Sequence, residues 1–198
     1  MTAYILLFLL FGFLGWIIDS TYCSLGSSSF VFSGYFKYIP ICTIYGIGGV
    51  LIILLFLKFK DYPFWSVVLY TTLSIILLEY LGGWFCQLVL GERLWDYSNE
   101  FLNIHGHISL LYSFYWFFLV GILYFFLNPH MERIHSFISR IQDYVGVYDR
   151  FVVVIFFVVF LCLTVYTRDR RLSLYRGYRD GIVLLENGIR SIEKRVGL

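Results

Sequence analysis

Charge is what this sequence has least of. Of its 198 residues only 14% are charged, against 60% apolar and 22% aromatic, and the mean hydropathy is +0.78. A soluble domain carries roughly 25% charged residues, so the composition excludes a soluble enzyme and a disordered chain. The four cysteines, Cys23, Cys42, Cys86 and Cys162, form no C-x-x-C pair, and each lies in or beside an apolar run. They read as small hydrophobes in packed helices, not as a disulfide scaffold. The N-terminus has no basic region, no A-x-A-like cleavage site comes after it, and the apolar run exceeds that of a signal peptide, so it reads as a retained first span. There is no G-x-x-x-x-G-K-[ST] phosphate loop, no H-E-x-x-H, no G-x-S-x-G and no nucleic-acid-binding motif. ATP hydrolysis by the phosphate-loop route is thereby excluded. What is present is apolar helix-forming sequence, and it implies an all-α fold class: a polytopic transmembrane helical bundle.

A span needs about 20 mostly apolar residues. Candidates are 3–25, 40–58, 63–90, 108–128 and 150–166, giving four to five spans. The third is long enough to tilt or project; the fifth is short, with a re-entrant or interfacial segment as the alternative. Between the fourth and fifth, Met131, Ile134, Ile138, Ile141, Val145 and Tyr148 recur at helical spacing opposite Glu132, Arg133, Arg140 and Asp143. That stripe, preceded by the helix-breaking Pro129, predicts an interfacial amphipathic helix. The expected organisation is a four-span core over 1–128, the interfacial helix over 129–149, a fifth membrane segment over 150–166 and a basic cytoplasmic helical tail over 167–198.

The charges are unevenly placed. Residues 1–57 hold two, Asp19 and Lys37, whereas 167–198 hold eight basic and four acidic residues. A basic appendage of this kind is drawn to anionic cytoplasmic lipid. With five spans, the loops 26–39 and 91–107 share the side of the tail, and that side carries ten Lys/Arg against five opposite. The positive-inside rule then puts the N-terminus outside and the C-terminus in the cytoplasm, for a chain in the plasma (inner) membrane. In the tail, Tyr175, Tyr178, Ile182, Leu185, Ile189, Ile192 and Val196 keep one helical seam. Such a seam needs a covering surface, so it predicts assembly as a homo-oligomer or docking of a cytoplasmic protein partner.

Ionisable groups inside spans are costly and point to function. Glu79 lies near the middle of the third span and Asp19 toward the end of the first. The loop 91–107 is dense in polar and aromatic groups: Trp95, Asp96, Tyr97 and Ser98, then Asn103, His105 and His107. Caps, turns and interfacial aromatics account for part of this set. An H-x-H pair without a third ligand makes a weak metal site, so neither a metal nor a cofactor is expected. The candidate ligand-binding or pathway residues are Asp19, Glu79, Trp95, Asp96, Tyr97, Asn103, His107 and Ser113. The loops 26–39 and 91–107 are expected to meet in one polar cluster.

An ordered set of motifs resembles the CmpB-like, ABC-transporter type IV family of small bacterial membrane proteins. They are Gly15-Trp16 with Asp19 and Tyr22; Pro40-x-Cys42-x-Ile44-Tyr45-Gly46; Leu78-Glu79-Tyr80; Trp95-Asp96-Tyr97-Ser98; and Asn103-x-x-Gly106-x-Ile108-x-Leu110 with Ser113. The resemblance covers roughly residues 10–129 and implies a transport permease. It departs from the family pattern at His107, usually Arg, at Ser109, usually Cys, and at Thr43, usually Pro. Histidine is only partly protonated near neutral pH, so a role needing a permanent positive charge does not carry over to His107.

Three functions stand as expectations. The first is a small oligomeric transport or channel-like subunit with Glu79, Asp19 and the 91–107 loop lining a site between helices. The second is a membrane anchor or sensor whose tail recruits a soluble partner. The third is an intramembrane enzyme acting on lipid or peptide through Glu79 or Asp96 with His107.

Overall fold

The structure, a computed structural model, describes residues 1–27, 30–33, 39–91 and 93–163. They are helical throughout apart from the connections and one isolated bridge between Ile104 and Ile108. The elements are α1 (Thr2–Ser27), α2 (Thr43–Lys58), α3 (Phe64–Phe85, continued by a π-helical turn Cys86–Leu90), α4 (Leu110–Leu127) and α5 (Met131–Val145). A last helix, α6, occupies residues 149–163. The chain divides into two compact units, Met1–Phe156 and Phe157–Leu198. The first holds α1 to α5 and the start of α6; the described residues of the second, 157–163, are helical. The 167–198 tail and its seam from Tyr175 to Val196 lie outside the described residues.

Three helical stretches are long and apolar enough to cross a membrane: Thr2–Leu25, Phe64–Val89 and the run Leu110–Leu163. That run is broken locally by 3-10 turns at Asn128–His130 and Gly146–Tyr148, so it comprises α4, α5 and α6. Pro129, which cannot continue the helical hydrogen-bond ladder, sits in the first of these turns. At its other end α4 is capped by Ser109, whose side chain accepts from Tyr112 N at 3.4 Å.

α1 and α2 pack antiparallel with their backbones nearly touching. A Cβ on Gly15 would collide with the Tyr45 side chain, and one on Gly46 would lie 2.8 Å from the Phe8 carbonyl oxygen. Small residues at such positions are what brings helices together in lipid, where van der Waals contact replaces the hydrophobic drive. Toward the other end of the bundle the core is Ala3, Leu7, Ile52, Ile53, Phe56, Val67, Val68 and Val120. Met131 and Ile138 of α5 belong to this core, and Ile134 and Ile141 pack against it. The amphipathic stripe is therefore spent on the bundle. Tyr148, assigned to the same stripe, instead stands exposed, because the regular helix stops at Val145 and a 3-10 turn rotates the chain beyond it.

α2 is shorter than α1, α3 and α4. Its 16 residues give about 24 Å of helix, against a hydrocarbon core of about 30 Å. Described non-helical residues before it lie against α1: Val31 N donates to Ser24 Oγ at 2.9 Å, Ser33 N to Ser20 Oγ at 3.1 Å, and Cys42 N to Gly12 O at 2.9 Å. Gly12 is near the midpoint of α1, so α2 begins at half height. Non-helical backbone at membrane depth persists only where protein buries it or it lines an aqueous cavity; here α1 supplies the covering partners.

Candidate functional site

Glu79 sits on α3 with its side chain turned into the bundle, and the residue is only 5% exposed. Its Oε1 accepts from the Tyr97 hydroxyl at 3.1 Å and its Oε2 from Trp116 Nε1 at 2.9 Å. One donor comes from the loop before α4 and the other from α4 itself, so three pieces of chain converge on one carboxyl group. α2 adds Tyr45, whose ring lies 5.4 Å from that of Trp116. Tyr97 stacks on Tyr112 with ring centroids 4.0 Å apart, and the Tyr112 hydroxyl meets that of Tyr22 on α1 at 3.0 Å. Among the described residues, Glu79 makes no ion pair.

Local turn chemistry presents Tyr97 to this site. Asp96 Oδ1 accepts from Ser98 N at 3.0 Å, from the Ser98 hydroxyl and from Arg93 at 3.0 Å. These bonds hold the Asp96 carboxyl below the usual carboxylate range, the Ser98 contacts contributing most. Asn103 Nδ2 donates to Ser98 O at 3.0 Å and Glu100 O at 2.9 Å, while its Oδ1 accepts from Gly106 N at 3.2 Å. Gly106 has φ +72°, and a Cβ there would meet Ser98 Oγ at 2.5 Å and Asp96 Oδ1 at 2.6 Å. Only glycine fits both the left-handed backbone and the crowding. Tyr97 N then donates to Gly106 O at 2.9 Å, so the tyrosine leaves a closed turn at a fixed angle. Burial, and then the neighbouring Glu79, push its phenol well above the ordinary tyrosine value.

The loop is fastened to α3 through small residues. Trp95 Nε1 donates to His107 O at 2.9 Å. A Cβ on Gly82 would lie 3.0 Å from Ile44 and 3.6 Å from the Trp95 ring, so the loop and the start of α2 meet over that glycine. His107, 3% exposed, packs against Gly83, where an added Cβ would be 2.8 Å from Nδ1. That nitrogen has no hydrogen-bond partner among the described residues. Burial, followed by the charge of Arg93, pushes the imidazole below its usual value. His105 faces elsewhere, its Nδ1 3.0 Å from the Tyr80 hydroxyl. No group of three or more His, Cys, Asp or Glu is arranged to hold a metal among the described residues.

The sequence-derived residues thus separate into roles. Glu79 and Tyr97 touch each other. Trp95, Asp96, Asn103 and His107 build and seat the loop that carries Tyr97. Ser113 Oγ donates to Ser109 O at 2.7 Å, a bond within its own helix. Asp19 lies one residue before Ser20, whose hydroxyl donates to Ser33 Oγ at 3.2 Å, and it makes no hydrogen bond to Glu79. Trp116, Tyr45 and Tyr112 were missed as site residues. The usable signal was the i, i+4 spacing of Tyr112 and Trp116 on one helix face, together with the need of a buried indole N–H for an acceptor.

The family described as "Putative ABC-transporter type IV" matches residues 6–167. The chain belongs to the ABC-transporter type IV family. That match takes in α1 beyond its first four residues, α2 to α6, and the complete loop that seats Tyr97. No curated protein and no solved structure matches the chain. Within this ABC-transporter type IV protein, Glu79 and its two donors draw on α3, the loop and α4, all inside the matched residues.

Proposed function

We propose that the chain is a small membrane transport or channel-like subunit whose pathway passes Glu79. The observation that carries this reading is the Glu79 carboxyl, buried between Tyr97 and Trp116 in a span and with no basic partner among the described residues. An intramembrane carboxyl of this kind marks substrate and ion pathways. The half-height start of α2 supports it, because interrupted helices in transporters put helix ends and extended backbone beside the transported species. The family description points to the same class of protein.

The finer reading is an oligomer in the bacterial inner membrane, with the N-terminus outside, the Tyr97 loop cytoplasmic and the tail free to engage a second copy or a soluble partner. Few spans per chain favour several copies sharing a pathway. The division into a four-span core, an interfacial helix, a fifth segment and a basic tail is part of the same reading, as is a role for Asp19 at the pathway mouth.

The test is light-scattering permeation in proteoliposomes challenged with gradients of small charged and neutral solutes. Wild type is expected to pass at least one solute faster than protein-free vesicles, and Glu79→Ala to abolish the difference. Permeability equal to empty vesicles for every solute, from folded and reconstituted protein, would contradict transport by the chain itself.

A further inference from the structure

The environment of Glu79 specifies which charge it handles. Its two oxygens are met by neutral donors, a phenol and an indole, and no basic side chain pairs with it among the described residues. An ionised carboxylate in a bilayer without a counter-charge is costly, so Glu79 calls for a neutralising cation, a metal ion or a proton. Calcium takes six to eight oxygen ligands and magnesium about six. Here one carboxyl oxygen faces an indole N–H, which can donate but never ligate, and no further acidic group joins Glu79 in a metal-holding set among the described residues. A proton needs no ligand beyond the carboxyl itself.

The two donors also differ in what they permit. Trp116 Nε1–H can only donate, so it holds Oε2 in either protonation state. The Tyr97 hydroxyl can donate to an ionised Oε1 or turn and accept from a protonated one. Exchange is therefore confined to the Oε1 side, and that side is built on a loop and not on a helix. Tyr97 stacks on Tyr112, which meets Tyr22, and Tyr22 is 54% exposed. Phenols thus lead from the carboxyl to the end of the bundle where α1 ends and α4 begins.

We propose that Glu79 is a proton-binding site, loaded from the end of the bundle that carries the 93–109 loop, with the Tyr97 hydroxyl as the group that passes the proton. The inference deepens the transport reading and rests on Glu79 as the pathway group, naming the proton as the ion coupled there. In the step itself the Tyr97 O–H bond breaks as its proton forms the O–H bond on Oε1, and the Tyr97 oxygen takes a replacement proton from hydronium at the loop mouth, which leaves as water. Tyr97 ends with its hydroxyl reversed, accepting from the protonated Oε1, and its proton count unchanged. The other titratable groups around the site are Tyr45 on α2 and Cys42 just before it, Asp19 and Tyr22 on α1, Tyr112 on α4, and Arg93, Asp96, Glu100 and His107 from the loop. Phenols, thiols and guanidinium titrate at alkaline pH, leaving Asp19, Asp96, Glu100 and His107 as the groups to control for.

The experiment is pH-difference infrared spectroscopy on the full chain in lipid nanodiscs, with flux measured in parallel. Expected is a deuterium-sensitive carboxylic-acid C=O band that grows on acidification. It should be lost in Glu79→Gln, displaced in Glu79→Asp, and retained in Asp19→Asn, Asp96→Asn, Glu100→Gln and His107→Gln. After a pH jump, Tyr97→Phe should slow the band's rise by roughly tenfold or more, each tenfold being about 1.4 kcal/mol of barrier. No Glu79-dependent band, a band indifferent to pH, or a response to sodium in place of pH would each overturn the proposal. Flux without titration removes this inference and leaves the transport reading standing. Titration without flux in any gradient removes the transport reading and leaves the proton site.

Discussion

Trp116 Nε1 donates to Glu79 Oε2 at 2.9 Å across the α3–α4 interface, although the two residues are 37 positions apart. The bond satisfies two groups that are costly to leave unpaired in a membrane interior, an indole N–H and a carboxyl oxygen. Hydrogen bonds between membrane helices average about 0.6 kcal/mol and reach about 1.7 kcal/mol in double-mutant cycles. The cycle Glu79→Leu, Trp116→Phe, in which each single change removes the bond, is expected to return a coupling near the upper end of that range by thermal or denaturant unfolding in detergent. Additive single effects would show that the two side chains do not act as a pair.

The α1–α2 contact depends on the absence of a side chain at Gly46, where a Cβ would meet the Phe8 carbonyl oxygen at 2.8 Å. That atom belongs to the backbone and cannot swing aside. Gly46→Ala should cost about 1–3 kcal/mol through overpacking, read as a lowered melting temperature. Gly121 on α4 has nothing within 4 Å of an added Cβ, and Gly121→Ala should be neutral or gain up to about 1 kcal/mol of helix propensity. Equal effects at the two sites would refute the close-approach argument.

Much of this arrangement is legible in the sequence, and the unread part has physical causes. Glu79 stands out because it is the one charge in a long apolar run, and Tyr97 because it sits in a dense polar loop. The helix ranges emerge from hydropathy to within a few residues. Hydropathy does not register where backbone turns from extended to helical inside one apolar stretch. Residues 40–58 therefore read as a span, although the helix starts at Thr43 and at half the height of α1. Trp116 hides in the aromatic run 112–118, where nothing local tells a lipid-facing ring from one that reaches an acceptor on another helix. Asp96 and Asn103 have the composition of a ligand set and the geometry of a turn, a distinction made only by knowing which backbone groups they bond.

The loop that positions Tyr97 should fail at Gly106. Gly106→Ala places a Cβ residue at φ +72° and drives it into Ser98 and Asp96. The left-handed backbone alone costs about 1–2 kcal/mol. Limited proteolysis should cut the loop faster while far-UV circular dichroism stays near wild type. An unchanged cleavage rate would show that the turn tolerates a side chain and that Tyr97 is not held by it.

At the opposite end of the bundle, Asp149 Oδ1 accepts from Thr2 N and from Thr2 Oγ1, each at 2.7 Å. These bonds, the Thr2 backbone N–H foremost, and the Met1 ammonium 2.9 Å from Oδ2 together lower the Asp149 carboxyl to about 2. A depressed folded-state value means the stabilisation is complete above the unfolded aspartate value of about 3.9. It fades as pH falls toward 2. Acid titration monitored by an NMR signal at Thr2 should show this contact released in that window, and Asp149→Asn should lack the transition. Release at higher pH would mean the Thr2 bonds do not hold the carboxylate.

The central claim is that Glu79 lies on a path reached from the loop end of the bundle, and solvent accessibility tests it most directly. In a background without the four native cysteines, Glu79→Cys and Leu77→Cys are placed two residues apart on α3, one buried in the bundle at 5% exposure and one on its outer surface at 57%. The protein is reconstituted into vesicles and treated from each side with a membrane-impermeant thiol reagent. The account predicts labelling of Glu79→Cys from the side of the 93–109 loop and none of Leu77→Cys, which faces lipid. A Glu79→Cys thiol that resists the reagent from both sides, in protein whose loop end still labels at Tyr22→Cys, would contradict it.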